Sequence, residues 1–222
     1  MEESVGIAEE LVLLALNEDG RVAYSAGTTQ FRLSILGACF VDLTNSGHIE
    51  VDLDEVRLRD NVAPCSPAHM RVLDAITASP ETHPLNFWLH RLEPDAQDFV
   101  RDLLQSLMSK GVLDREEGRL LWLIKTERYR LTDGRLQKEA KLRIAEVLLG
   151  DDIPSAHDSI LLGLARQAGL LESFLTDSQL EQLRERSDMV GNLDLTAKLV
   201  ERAIIDAQQA MAAAMMMQPL PC

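Results

Sequence analysis

Apolar residues recur at helical spacing along most of the chain. Residues 6–17 predict a first helix, and the apolar positions of Phe31–Leu43 cover most of a helix circumference, which is typical of a helix inside a core. Asp95–Lys110 has one broad apolar face followed by a glycine, so it predicts an amphipathic helix that ends there. Further helices are expected around Val72 and around Phe87, and at 134–149, 157–168, 170–175, 178–189 and 194–217.

The apolar period changes from 3.6 to 2 at two places, and each change predicts a β-hairpin. The first spans residues 48–58 and has its turn at Asp52–Glu55. The second spans residues 112–131, with a turn at Asp114–Gly118 and a returning strand that carries Leu120–Ile124. At least half of the residues should therefore be helical.

Composition favours a folded chain with one large core. The chain has 222 residues, of which 46% are hydrophobic, and a formal net charge of −14. That length buries enough surface without disulfides, and the charge opposes nucleic-acid partners. The three cysteines share no metal or redox spacing, and no signal peptide or membrane span is evident, so we expect a cytoplasmic protein. We predict a mainly α, compact single domain over residues 1–222, built around a central helical bundle with two or more short β-hairpins, and with an Ala/Met-rich C-terminal helix and tail over 203–222.

The second hairpin lies in a locally basic segment. Between Arg115 and Arg143 there are nine Lys or Arg against five acids. Basic residues around an apolar tip are the two components of membrane-surface binding. The candidate membrane or oligomer contacts are Leu121, Trp122, Leu123, Ile124, Arg119, Lys125 and Arg128. Two alternatives stay open: Leu120–Ile124 forms a strand buried on both faces, or the segment is the wing of a winged helix.

Signatures of catalysis and metal binding are missing from the sequence. It contains no G-x-S-x-G, H-E-x-x-H, G-x-G-x-x-G or Walker motif, and its five histidines do not pair at i, i+4. The adjacent Asp151 and Asp152 are better explained by hydration of a helix start than by a divalent ion. We therefore expect no catalytic residues, no metal and no cofactor.

Several segments, taken in order, resemble the Golgi phosphoprotein 3 family and its bacterial members. They extend over almost the whole chain. They are Glu9–Leu16 followed by Asp19–Arg21, Gly47–Ile49, Ala78–Pro80, Trp88, Lys110–Leu113, the apolar hairpin strand with Tyr129 and Leu131, and Ala168–Leu171.

The resemblance implies a helical fold around a four-helix core and a peripheral membrane protein. Family members bind phosphatidylinositol 4-phosphate, use the hairpin after Lys-Gly-Val-Leu for membrane contact or self-association, and in eukaryotes retain glycosyltransferases through their cytoplasmic tails. The implied partners are thus a phosphoinositide or other anionic lipid, a second copy of the chain, and protein cargo tails.

The family's headgroup ligands are not kept in this chain. A Trp and three Arg hold the headgroup in eukaryotic members, and their positions fall here on Gly27, Leu36, Gln97 and Val100. A phosphomonoester needs charge-assisted donors, so these replacements remove most of what would hold it. Arg32 and Arg101 lie close enough in sequence to substitute. The implied function is a peripheral membrane adaptor that binds anionic lipid. The alternatives are a soluble interaction scaffold that self-associates through the hairpin and has lost phosphoinositide binding, and an enzyme of unrecognised type.

Overall fold

The structure, a computed structural model, describes residues 5–17, 19–22, 27–60, 65–120, 124–149, 154–181 and 195–216. For residues 116–120, 124–127, 148–149, 195–197 and 214–216 it describes the backbone alone. Helical residues make up 67%, which confirms the prediction of a mainly helical fold. Within the described ranges the helices are α1 (Ile7–Leu14), α2 (Thr29–Asn45), α3 (Pro67–Thr77), α4 (Leu85–Leu92), α5 (Ala96–Ser109), α6 (Arg135–Leu149), α7 (Ala156–Gln167) and α8 (Leu195–Met216). Short 3-10 turns occupy Glu93–Asp95 and Leu171–Ser173, and the strands are β1 (Ile49–Val51), β2 (Val56–Leu58), β3 (Leu113–Leu120) and β4 (Ile124–Leu131).

Helix α2 lies at the centre of the bundle and packs against α1, α3, α4, α5, α7 and α8. Its large side chains, Phe31 and Phe40 among them, are fully buried, which confirms the prediction made from the all-round apolar pattern. The Thr28 hydroxyl accepts a hydrogen bond from the Phe31 N–H at 3.2 Å and caps the start of the helix. A Cβ at Gly37 would lie 2.8 Å from Val200 of α8, so the glycine allows these two helices to approach closely.

Helix α1 is buried along its whole length, although it carries two adjacent glutamates. The Asp42 carboxylate of α2 accepts hydrogen bonds from the Ile7 and Ala8 N–H groups at 2.9 and 3.0 Å and so caps the helix start. The Glu9 carboxylate accepts hydrogen bonds from the Lys110 ammonium at 2.8 Å and from the Ser106 hydroxyl at 2.7 Å, both at the end of α5. Buried carboxylates are tolerated here because each is paired and hydrogen-bonded.

Glu10 connects α1 to α6 and α7. One carboxylate oxygen accepts a hydrogen bond from the Arg143 guanidinium at 2.7 Å, and the other lies 2.9 Å from Nε2 of His157. Arg143 also donates to Asp158 at 2.8 Å. The hydrogen bond to Glu10 raises the pKa of His157 above its ordinary value. Three helices therefore meet at one buried acid.

The two hairpins differ in how well their turns follow from sequence. The Asp52 N–H donates to the Glu55 carbonyl at 2.9 Å, which confirms the first turn. In the second hairpin Leu113 pairs with Leu131 and Leu120 with Ile124, so the predicted turn at Asp114–Gly118 is wrong: those residues lie within β3. Their polar composition suggests a loop, but the register places Asp114 opposite Arg130 and Glu116 opposite Arg128. Asp114 and Arg130 are in contact at 3.3 Å.

Three smaller predictions have mixed outcomes. The helix expected at 170–175 is only the 3-10 turn Leu171–Ser173. Most of the helix expected at 178–189 lies outside the described residues, as do Asp151 and Asp152. The Ala/Met-rich segment is helical through Met216 in α8, and the rest of that tail is also outside the described residues. The single-domain boundary at 1–222 stays a prediction.

Candidate functional site

An open groove of about 390 Å³ lies where the segment after α1, helix α5 and strand β4 meet. Four of its lining residues come from α5 at helical spacing, which places them on one face of that helix. The lining residues are Arg21, Val22, Gln97, Val100, Arg101, Leu104 and Tyr129.

Arg21 reaches the groove through a tight turn that is fixed to β4. The Arg21 N–H donates to Oδ1 of Asn17, and the Asn17 N–H donates to the Arg21 carbonyl, each at 2.9 Å. The Tyr129 N–H of β4 then donates to the Gly20 carbonyl at 2.7 Å. Gly20 has φ +70°, and a Cβ on it would lie 2.3 Å from the Tyr129 carbonyl oxygen, so only glycine fits.

The two arginines of the groove have different surroundings. Nε of Arg21 is buried and has no hydrogen-bond partner among the described residues, and no described carboxylate pairs with this side chain. Arg101 is 63% exposed and pairs with Asp98 one turn earlier on α5 at 2.8 Å. Val22, Val100 and Leu104 make much of the remaining wall apolar. The groove can therefore hold an anion that is attached to an apolar body.

The structure brings some of the family-position residues together and separates the others. Gln97 and Val100 line the groove, and Arg101, one of the two expected substitutes, lines it beside them. Leu36 is fully buried in the core, and Gly27 is exposed elsewhere, where its carbonyl accepts from a guanidinium nitrogen of Arg32 at 2.7 Å.

The other expected substitute, Arg32, already forms an ion pair within the folded chain. Its Nε donates to Glu93 at 2.5 Å, and Glu93 is buried. A headgroup would have to displace that ion pair, which leaves a buried carboxylate unpaired. Sequence reasoning missed Arg21 as a groove residue. The available signal was its position directly after the Asn17–Gly20 turn chemistry.

Three of the predicted hairpin contacts, Arg119, Ile124 and Lys125, lie at one end of β3–β4. Arg119 pairs with Lys125 across the two strands, one step from the Leu120–Ile124 pair where the strands end. Leu121, Trp122 and Leu123 lie outside the described residues. Arg128, further along β4, is half-buried, and its Nε has no hydrogen-bond partner among the described residues.

Comparison with known families agrees with this architecture. The model of the Golgi phosphoprotein 3 (GPP34) family matches residues 7–208. The chain belongs to the Golgi phosphoprotein 3 family. No individual curated protein matches it at a significant level. The resemblance drawn from the sequence motifs is thereby confirmed.

This Golgi phosphoprotein 3 family member places its groove on α5, the helix that precedes the Lys-Gly-Val-Leu segment. Over the ranges that the structure describes, no helix has the length and apolarity needed to cross a bilayer. The same ranges contain no group of three or more His, Cys, Asp or Glu side chains arranged to hold a metal ion. The expectations of no metal and no enzymatic activity stay predictions.

Proposed function

We propose that this protein is a peripheral membrane adaptor that binds an anionic phospholipid headgroup in the α5 groove. The observation that carries the proposal is the half-buried Arg21 side chain, which lines a partly apolar groove together with Arg101. Charge-assisted hydrogen bonds from a guanidinium to phosphate oxygens are among the strongest in proteins, so the two arginines suit a phosphate group. Family membership supports the same function, with phosphatidylinositol 4-phosphate as the headgroup that the resemblance implies.

The β3–β4 hairpin supplies the second contact in this proposal. Its sequence between Leu120 and Ile124 is entirely apolar, and Arg119 and Lys125 flank it. Apolar side chains can enter the acyl boundary while basic residues stay near anionic headgroups, where each contributes about 1 kcal/mol. Both contacts are needed because a net charge of −14 opposes approach to an anionic surface.

Replacing Arg21 with alanine tests the groove directly. The change removes a charge-assisted hydrogen bond worth about 1.5–3 kcal/mol, so vesicle binding should weaken by at least about tenfold. The measurement is co-sedimentation with phosphatidylcholine vesicles that contain an anionic phospholipid. Arg91→Ala is the matched control, because it removes the same charge from an exposed position on α4. Equal losses in the two variants would contradict a specific role for Arg21.

Replacing Trp122 with aspartate tests the hairpin. The thermal midpoint should change little while vesicle binding falls, because in this proposal Trp122 contacts the membrane and contributes little to folding. Sedimentation velocity of the same variant tests the self-associating scaffold: loss of a dimer with vesicle binding intact would favour that alternative. A loss of several kcal/mol in the free energy of unfolding would show that Trp122 belongs to the core.

A further inference from the structure

We infer that the groove selects a phospholipid headgroup with a single phosphodiester charge over one with a phosphomonoester. This inference rests on the proposed function and concerns the ligand of the same groove. It follows from the juxtaposition of one uncompensated arginine, one arginine already paired with an acid, and an apolar wall.

The cationic charge available in the groove is close to one. No carboxylate among the described residues pairs with Arg21, so we take this guanidinium as the main positive charge that the groove offers to a ligand. Arg101 already forms an ion pair with Asp98 at 2.8 Å on the same helix, so it offers a ligand less net charge than Arg21 does. A phosphodiester carries one negative charge, which Arg21 alone can balance. A phosphomonoester carries about −1.5 to −2 at pH 7, so part of its charge would remain unbalanced.

The other lining residues match a diester equally well. Gln97 offers a neutral amide, which suits a hydroxyl or an ester oxygen but lacks the charge-assisted strength that a phosphomonoester requires. Val100 and Leu104 form an apolar wall against which the glycerol carbons of a phospholipid can pack. A free inorganic anion would gain nothing from contact with this apolar wall. The ligand we propose is therefore a membrane phospholipid.

The test compares two anionic vesicles at equal surface charge. One contains phosphatidylglycerol in phosphatidylcholine, and the other contains phosphatidylinositol 4-phosphate, adjusted until the two zeta potentials agree. The wild-type protein should bind the phosphatidylglycerol vesicles more tightly than the phosphatidylinositol 4-phosphate vesicles. Arg21→Ala should lower that binding by tenfold or more, whereas Arg91→Ala should change it less than threefold.

Asp98→Asn gives a second, independent readout. The substitution releases Arg101, so it should shift the preference toward phosphatidylinositol 4-phosphate by about two- to fivefold, as expected for the loss of an exposed ion pair. The fold should tolerate it, because Asp98 is half-exposed and its other neighbour, Arg71, donates to Asp102 at 2.5 Å. Asp74→Asn, which removes a negative charge from an exposed position on α3, should leave the preference unchanged.

The outcomes separate this inference from the proposed function. If wild-type protein binds the phosphatidylinositol 4-phosphate vesicles as tightly as the phosphatidylglycerol vesicles or more tightly, and Arg21→Ala abolishes that binding, the diester inference is wrong and the proposed function stands. If Asp98→Asn leaves the preference where it was, the charge argument is wrong. If glycerophosphoglycerol without acyl chains binds as tightly as the phosphatidylglycerol vesicles, the ligand is not a membrane lipid. If neither vesicle binds, both proposals are overturned.

Discussion

Replacing Gly20 with alanine should destabilise the fold and abolish groove binding together. The new Cβ would meet the Tyr129 carbonyl oxygen at 2.3 Å, and that atom belongs to the backbone of β4, which cannot rotate away. The residue also has φ +70°, a region that costs an L-residue about 1–2 kcal/mol. With about 1–3 kcal/mol for the overlap, the free energy of unfolding should fall by about 2–5 kcal/mol in urea titrations.

A matched glycine separates the two contributions. Gly111 has the same φ of +70°, but a Cβ there would have no neighbour within 4 Å. Gly111→Ala should therefore lower the free energy of unfolding only by the cost of the positive φ, about 1–2 kcal/mol, and should leave vesicle binding intact. Gly20→Ala should lose vesicle binding as severely as Arg21→Ala, even at temperatures where it remains folded, because the turn that aims Arg21 depends on contact with Tyr129. Equal destabilisation by the two alanines would show that the close approach to β4 is unimportant.

The helices were predictable because burial alone determines their pattern. Phe31–Leu43 is apolar around its circumference, and only a central position in a helical bundle buries all of that surface. The observed helix extends two residues further at each end, to Thr29 and Asn45, where Thr28 and Gly47 supply the caps. Helix ends therefore follow local hydrogen bonding, which the apolar pattern does not record.

The second hairpin was mispredicted because its polar residues were interpreted as a turn. Asp114–Gly118 has loop-like composition, but Leu113 and Tyr129 are both buried and fix the register of β3 on β4. In that register Asp114 faces Arg130, so a charge pattern typical of a loop instead forms cross-strand pairs. Composition does not show which residue lies opposite which.

The candidate site was only partly predictable for a similar reason. The family spacing on α5 points to Gln97, Val100 and Arg101, and the structure places these three residues along one groove. Arg21 joins them only because the Gly20 carbonyl accepts the N–H of Tyr129, a contact between segments about a hundred residues apart in the chain. Arg32 was a reasonable candidate by position, but its pairing with Glu93 is likewise a tertiary contact. Long-range hydrogen bonds thus decide which arginine is available to a ligand.

Replacing Glu10 with alanine should destabilise the fold by breaking the cluster that joins α1 to α6 and α7. Its side chain is 10% exposed, and its loss leaves His157 without its acceptor and Arg143 with Asp158 alone. Breaking a fully buried pair costs about 3–5 kcal/mol, but Arg143 and His157 are 32% and 40% exposed and can recover some hydration. We therefore expect a loss of about 2 kcal/mol in urea titrations at pH 6. Glu146→Ala, at an exposed position on α6, is the control.

The same cluster should make stability depend on pH in a defined direction. Since the hydrogen bond to Glu10 raises the folded-state pKa of His157, the folded protein holds this proton more tightly than the unfolded chain does. The resulting stabilisation is fully present below the unfolded pKa, about 6.5, and is lost as the pH rises through the folded pKa. The measurement is the difference in free energy of unfolding between the wild type and His157→Gln from pH 5.5 to 9. In the wild-type background this difference should shrink as the pH rises. In a Glu10→Gln background no carboxylate faces the imidazole at that position, so the difference should stay nearly constant. A difference that grows with pH would mean that His157 is held neutral in the cluster and donates to Glu10 as the Nε2–H tautomer.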